Sequence, residues 1–291
     1  MLLLELRGPS GEPVDLRRTL LSHGVASLPP NRVDERTPAL ETTVRVPRGA
    51  PRTVRVSAAA RGRARVEVRG RETAAVLPPV RRILNLDENL ASFYAVAGGD
   101  PDLAWATAGA GRMVRGQTVF EDVVKTICTT NCAWSGTVRM VTALVDGLGE
   151  PSAGGHGRAF PTAEAMAEAG DGFYRDVARA GYRGAYLRSL AASVAEGVLD
   201  LEALLDPELP DDEVAARLLG LPGVGPYAAA HAMMLLGRHS RLILDSWTRP
   251  TYARLTGRKA SDRAIERRFA RYGRFAGLAL WLFLTRDWVE T

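Results

Sequence analysis

The sequence predicts an α+β protein: a small antiparallel, β-rich N-terminal domain over residues 1–79, then a mainly α-helical body over residues 80–291. Three observations predict it. Through the first eighty positions apolar and polar residues alternate, the period of a strand with one buried face. After Pro78-Pro79 the apolar spacing becomes three and four, the period of a helix. The composition, 46% hydrophobic and 24% charged in 291 residues, suits one large or two modest globular domains.

The strands come first. Alternation is visible in Thr43-Val44-Arg45-Val46, in Val54-Arg55-Val56-Ser57 and in Ala64-Arg65-Val66-Glu67-Val68. Pro47 and Gly49 to Pro51 separate the first pair and Arg61-Gly62 the second, which predicts antiparallel hairpins. The arginines fall on the face opposite the valines, as on a solvated sheet face.

The body opens with helical spacing at Val80, Ile83 and Leu84, then at Leu90, Phe93 and Tyr94, where Asp87 stands as a cap. Val119, Phe120, Val123, Val124 and Ile127 make one apolar stripe. Val138, Val141, Leu144 and Val145 make another that stops at Gly147. Residues 150–157 are Gly/Ser-rich and read as a surface loop. Further helices are predicted near 163–169, 186–196, 212–219, 227–236 and 275–288.

Composition excludes several classes. No apolar run approaches the ~18 residues of a membrane span, and the apolar stretch in MLLLELRG is too short for a signal peptide. Two cysteines cannot hold a disulfide scaffold, a four-cysteine zinc site or an iron–sulfur cluster. Cys128 and Cys132, four apart on a predicted helix, read as a buried pair of thiols. The four histidines lack metal-binding spacing, and no P-loop or dinucleotide fingerprint occurs. A cytoplasmic monomer without nucleotide cofactor is expected. The net charge of +5 suits a polyanionic partner. Nearly all of the positive charge is arginine, much of which GC-rich codons explain. Lys125 and Lys259 are the only lysines.

Residues 221–229 read LPGVGPYAA between two helical stretches. Two glycines at spacing two give a tight hairpin whose bare amides, at the start of a helix, can approach a phosphate. A plain helix–turn–helix corner would use the same glycines. Downstream, Asp245 follows the apolar run Leu242-Ile243-Leu244, a place where an Asp commonly serves as a helix N-cap.

The hairpin LPGVGPYAA, the later Asp245, and upstream ICTTNCAW and RAGYRGAYL together resemble the helix–hairpin–helix (HhH-GPD) DNA glycosylases. The branch they are most similar to holds bacterial 3-methyladenine glycosylase II and 8-oxoguanine glycosylase. The resemblance implies excision of a damaged base from duplex DNA, the base being flipped into a pocket between two helical subdomains. It implies Asp245 as the carboxylate that stabilises the oxocarbenium-like sugar or activates water. Phosphate contacts fall to Gly223, Val224, Gly225 and Tyr227, Pro226 having no N–H. Asn131 is the implied wedge into the base stack; a helix-terminating Asn is the alternative.

In bifunctional relatives a lysine stands where this chain has Tyr227, so the expectation is a monofunctional enzyme without lyase activity. Lys125 and Lys259 fall in segments expected to lie away from the hairpin. An aromatic residue at that position suits alkylated bases, with Tyr227, Trp247 and Trp281 as pocket residues, although Trp281 in GLALWLFL also reads as core. Electron-rich rings attract cationic bases. The GYR pattern and ICTTNCAW keep 8-oxoguanine as the alternative substrate. A non-catalytic DNA-binding protein using Asp245 only as a cap is the rival of another class. No cofactor is expected to be required, and the resemblance implies that the carbonyls of Leu219, Leu221 and Val224 hold a structural monovalent cation. Pro250 requires the next helix to start near Thr248, which puts Asp245 in the preceding loop instead of at the cap.

Overall fold

The computed structural model describes residues 2–289. Five antiparallel strands form one sheet in the order β1-β5-β4-β3-β2: β1 Leu2–Glu5, β2 Arg32–Asp34, β3 Ala39–Val46, β4 Gly49–Ala59 and β5 Arg63–Val68. Pairings such as Thr42 with Val54 and Val56 with Val66 set the register. They put Leu40, Val44, Val54, Val56, Ala64 and Val66, all fully buried, on one face. The first hairpin turn is tighter than predicted. Gly49 to Pro51 belong to β4, and the reversal is made by Pro47 and Arg48, the latter at φ 55°. Residues 60–62 make the second turn, with Arg61 and Gly62 both at positive φ.

Helix α1 (Leu16–Leu20) interrupts the β region after β1. In the body come α2 Leu77–Ile83, α3 Ala91–Ala97, α4 Val119–Thr129, α5 Trp134–Leu148, α6 Ala163–Glu168 and α7 Arg183–Ala195. The chain continues through α8 Asp211–Leu219, α9 Pro226–Leu235, α10 Thr248–Thr256, α11 Asp262–Phe269 and α12 Ala276–Thr285. Among the described residues no helix is long and apolar enough to cross a membrane.

Three local readings need correction. Asp87 does not cap α3. It pairs with Arg81 at 2.6 Å, while Asn89 Oδ1 accepts the Ala91 amide at 3.0 Å, so the side chain nearer the helix start takes the role. The second stripe runs past Gly147 to Leu148, and its Val138 is exposed. Cys128 is buried, but α4 ends at Thr129 and leaves Cys132 outside the helix and exposed; the two are not a buried pair.

Three apolar cores organise the chain. One joins the sheet to α2 and Val114. A second lies among α4, α5, α7, α8 and one face of α9, and takes in Val25 and Leu28 from the N-terminal region. The third unites residues 90–113 with α11, α12 and the other face of α9. Helix α9, buried from Ala228 to Leu235, is the shared wall between the last two.

A buried ion pair ties the N-terminal region to the third core. Arg112 and Glu12 meet at 2.9 Å with side chains 0% and 5% exposed. Burial alone would raise Glu12, yet the Leu90 amide and Arg112 outweigh it and hold the carboxyl below its ordinary value. The loop at 150–157 lies on the sheet, with Ala153 N donating to Pro51 O at 3.0 Å and Arg45 pairing with Glu150.

Candidate active site

The site is built around α9. Helix α8 carries Asp211, Asp212 and Glu213 in its first turn, where the helix dipole favours negative charge, and ends at Leu219 with Gly220 as its C-cap. The chain reverses over the next five residues. Gly223 takes φ 80°, and a Cβ there would come within 2.7 Å of Tyr186 Cδ2, so the turn requires glycine twice over. Gly225 caps α9 in extended conformation, and Pro226 occupies the first helical position, where its missing N–H leaves no bond unmade. Val224 is buried, and its amide donates to Leu221 O at 3.2 Å. That leaves Gly223, Gly225 and Tyr227 as the hairpin's candidate amide donors.

Asp245 lies at the other end of the site, and the structure changes how it is held. Helix α10 does start at Thr248. Asp245 nevertheless caps it: Oδ1 accepts the amides of Trp247 at 2.9 Å and Thr248 at 2.7 Å. In return the Asp245 amide donates to Thr248 Oγ1 at 2.7 Å. This reciprocal arrangement is a capping box, in which a side chain before the helix and one in its first turn satisfy each other's amides. The segment leading to Asp245 is anchored by the Gly277 amide, which donates to His239 O at 2.7 Å. No side chain fits at Gly277 against the Arg241 carbonyl.

Tyr227 is half-buried on α9, and burial pushes its phenol above the ordinary value. The Asp245 carboxylate adds to the rise at Tyr227 and holds up His231, one turn further along α9, and Arg249.

The tryptophans cluster. Trp247 and Trp281 lie 5.5 Å apart between ring centroids, and Trp288 joins them at 5.5 and 5.9 Å. Trp281 is 8% exposed, whereas Trp247 is 38% exposed and Trp288 45%. Trp281 thus belongs to the core and braces the cluster, and Trp247 and Trp288 offer the accessible aromatic surface. Sequence reasoning missed Trp288, which a short 3₁₀ turn after α12 folds back.

It also missed the histidines. His23 and His231 meet edge to face with centroids 6.0 Å apart, and His231 lies 5.9 Å from Tyr227. The spacing of four between Tyr227 and His231 was the available signal, since it puts both on one helix face. Nothing in the sequence pointed to His23. Its segment is held by Trp281 Nε1 donating to Ser22 O at 2.8 Å and by Val114 N donating to Ser22 Oγ at 3.1 Å.

No family model matches the sequence, and no curated protein matches it. Solved structures do match the fold. The 3-methyladenine DNA glycosylase from Archaeoglobus fulgidus is 22% identical, with a TM-score of 0.73 over 100% of both chains. MBOgg1 in complex with a low-affinity DNA ligand is 20% identical, with a TM-score of 0.74 over 97% of this chain and 93% of that one. The apo form of the Clostridium acetobutylicum 8-oxoguanine glycosylase/lyase is 20% identical, with a TM-score of 0.71 over 93% and 92%. The fold is that of the helix–hairpin–helix DNA glycosylases.

Helix α4, which carries Lys125, packs against α9. The Lys125 amine is buried and engaged, Nζ donating to Glu121 Oε1 at 2.6 Å and to Leu28 O at 3.3 Å. Lys259 is exposed between α10 and α11. Asn131 follows α4 at φ 45°, exposed, with Nδ2 donating to Tyr182 Oη at 3.3 Å. It combines the left-handed geometry of a helix-terminating Asn with the exposure a wedge needs. Leu219 ends α8, and Leu221 and Val224 lie in the turn, where the Leu221 carbonyl already accepts the Val224 amide. The 630 Å³ cavity along α9 lies on its Pro226, Ala229 and Met233 side, away from Tyr227 and His231.

Proposed function

We propose that this chain is a monofunctional DNA N-glycosylase that removes damaged bases, foremost alkylated purines, from double-stranded DNA. The observation that carries the reading is Asp245, pinned through Oδ1 by the amides of Trp247 and Thr248, next in the chain to a tryptophan cluster whose Trp247 and Trp288 are exposed. The matching solved structures are glycosylases, one of them also solved with double-stranded DNA containing cytosine opposite 8-oxoG.

In this mechanism the flipped base stacks on Tyr227, with Trp247 lining the entrance and Trp281 behind it. As the C1′–N bond breaks, its electron pair leaves with the base and positive charge builds on the deoxyribose. Oδ2 of Asp245, the oxygen not spent on the cap, faces that charge. Water adds to C1′ and gives up a proton, which Asp245 accepts or relays to solvent. A base alkylated to a cation departs neutral, so no general acid is needed. Gly223, Gly225 and Tyr227 supply phosphate-binding amides, and Asn131 fills the gap left in the stack. The enzyme works as a monomer in the cytoplasm and needs no cofactor; a monovalent cation at the Leu219, Leu221 and Val224 carbonyls would only stiffen the hairpin.

Likeness to the 8-oxoguanine glycosylase/lyase keeps oxidised purines as a second reading, which Tyr227 in the lysine's place disfavours. A gel assay decides between them. Wild type and Asp245→Asn are incubated with labelled duplexes carrying a methylated purine, hypoxanthine, uracil or 8-oxoguanine, with and without hot alkali. Breaks that need alkali and vanish in the variant support the proposal and identify the base. Binding without breaks on every duplex favours a non-catalytic DNA-binding protein.

A further inference from the structure

We propose that α10, α11 and the turn between them form a second DNA-binding surface, which grips the phosphates of the duplex arm on one side of the damaged base. The proposal rests on the glycosylase reading and gives the enzyme a contact beyond the hairpin and Asp245.

The charge is concentrated there. Residues 249–274 hold nine arginine and lysine residues against two carboxylates, Asp262 and Glu266, a net of +7 where the whole chain carries +5. Arg249 is engaged by Asp262 through two bonds of 2.8 and 2.9 Å, and Arg268 and Arg271 pair with Asp102 and Asp100. Arg254, Arg258, Lys259, Arg263 and Arg267 lie exposed on this stretch, in no ion pair among the described residues. On the sheet, by contrast, Arg32 and Arg69 share Glu41, and Arg63 meets Glu5. Codon composition accounts for arginine anywhere in the chain, but not for one of its only two lysines falling here as well. Five neighbouring cations repel one another, and a polyanion laid across them relieves that repulsion.

The surface is built on a clamped pair of helices. Gly257, at φ 72°, turns the chain out of α10. Arg258 and Lys259 stand in the turn, and Ser261 caps α11 by accepting the Ala264 amide. Ile265 and Phe269 bury one side of α11. Arg263 and Arg267, four apart, therefore stand together on the opposite side. The Arg249–Asp262 pair ties the start of α10 to the start of α11.

Continuity with the site selects DNA as the partner. Asp245 caps α10, so one helix joins the surface to the carboxylate assigned to the chemistry. The nine residues of α10 span about 14 Å, the axial length of about four base pairs. A duplex running along α10 from the nucleotide at Asp245 lays the phosphates of its arm on the five cations. Such contacts read no sequence; they hold the duplex in position.

The test uses duplexes with a tetrahydrofuran abasic site, both arms about 12 base pairs long or one arm cut to about three, too short to span α10. Affinity is measured across a salt series for wild type and two variants. One carries Arg254→Gln, Arg258→Gln, Lys259→Gln, Arg263→Gln and Arg267→Gln together. The other carries Lys in place of the same four arginines. Cutting one arm should weaken wild type about 10- to 100-fold at low salt, and cutting the other by no more than about threefold. The Gln variant should lose this arm dependence, bind the full duplex as weakly as wild type binds the cut one, and show a log–log salt slope shallower by about 3–4. The Lys variant should match wild type, because point charges suffice for phosphates. All three should melt within a few degrees of one another, since the five side chains have no partners to lose. Equal loss from either arm in wild type overturns the proposal, as does arm dependence that survives in the Gln variant. A Gln variant weakened equally on full and cut duplexes shows only a general attraction and also overturns it. Release of damaged bases by wild type judges the glycosylase reading separately. Release without arm dependence strikes this proposal alone, and arm dependence without release strikes the enzyme and keeps the surface.

Discussion

Asp245 and Thr248 hold each other in place: the Asp245 carboxyl accepts the Thr248 amide, and the Thr248 hydroxyl accepts the Asp245 amide, both at 2.7 Å. The structural and chemical uses of Asp245 are thereby separable by substitution. Asparagine keeps the capping oxygen and removes the charge. Asp245→Asn should leave the thermal midpoint nearly unchanged while lowering single-turnover base release by at least about 100-fold. Asp245→Ala should lose activity and also about 1 kcal/mol of stability. Thr248→Val should cost a similar amount of stability but slow release far less than Asp245→Asn, because it keeps the backbone amide that holds the carboxyl and removes only the hydroxyl that accepts the Asp245 amide. Activity retained in Asp245→Asn would remove it from the chemistry.

Tyr186 makes the hairpin glycines inequivalent. Gly223 has positive φ and no room for a Cβ, whereas Gly225 has neither restriction. Gly223→Ala should destabilise by about 1–3 kcal/mol in chemical denaturation, and Gly225→Ala by well under that. If the hairpin grips phosphate, the double variant should bind all DNA sequences more weakly, with a shallower salt dependence. An unchanged slope would mean that the hairpin is only a corner.

The absence of a lysine at position 227 and the burial of Lys125 predict the cleavage chemistry. Borohydride should trap no covalent protein–DNA adduct during turnover. Lys125→Ala, by leaving Glu121 buried and unpaired, should destabilise the fold by about 3–5 kcal/mol. An adduct trapped in wild type would reverse the assignment, and its loss in Lys259→Ala or Lys125→Ala would identify the amine.

Asp122 sets a pH dependence unrelated to catalysis. Its carboxyl is buried, accepts the Gly116 amide at 2.6 Å, and is pushed up to about 7 by desolvation. Its ordinary value is 3.8. Between those values the native state holds a proton that the unfolded chain has released, so this group's contribution falls as pH rises from about 4 to 7. Asp122→Asn should gain on wild type over that range, by on the order of 2–4 kcal/mol above pH 7. His23 and His231 act in the opposite sense, their contribution being lost as pH falls below about 6.5, but they are common to both proteins and cancel in the difference. Denaturant melts of the two proteins at pH 5, 6, 7 and 8 measure it; a constant difference would mean that Asp122 is ionised throughout.

Much of the fold was legible because its signals are local. The valines of β3, β4 and β5 alternate, the stripe of α4 repeats at three and four, and the glycines of the hairpin are needed by a turn only a few residues long. The short outer strands β1 and β2 escaped notice, since runs of four and three residues carry too few alternations to stand out. The capping roles of Asp87 and Asp245 were misjudged for a related reason. Which side chain reaches an amide depends on one dihedral more or less, and sequence spacing does not resolve it.

The strand alternation of the first eighty residues, the helical spacing after them and the hairpin with Tyr227 at the head of its helix follow from residues that are neighbours along the chain, whereas Asp245 was singled out by the resemblance to the helix–hairpin–helix glycosylases. Only the tertiary structure decided that Trp288 folds onto Trp247 and Trp281, that Lys125 is locked away, and that His23 is brought against His231. Apart from the Lys125–Glu121 pair on α4 and the Trp281–Trp288 contact, they join segments far apart in sequence. They exist because burying α9 between two cores closes long loops whose entropic cost rises slowly with length, so no local pattern records which ends will meet.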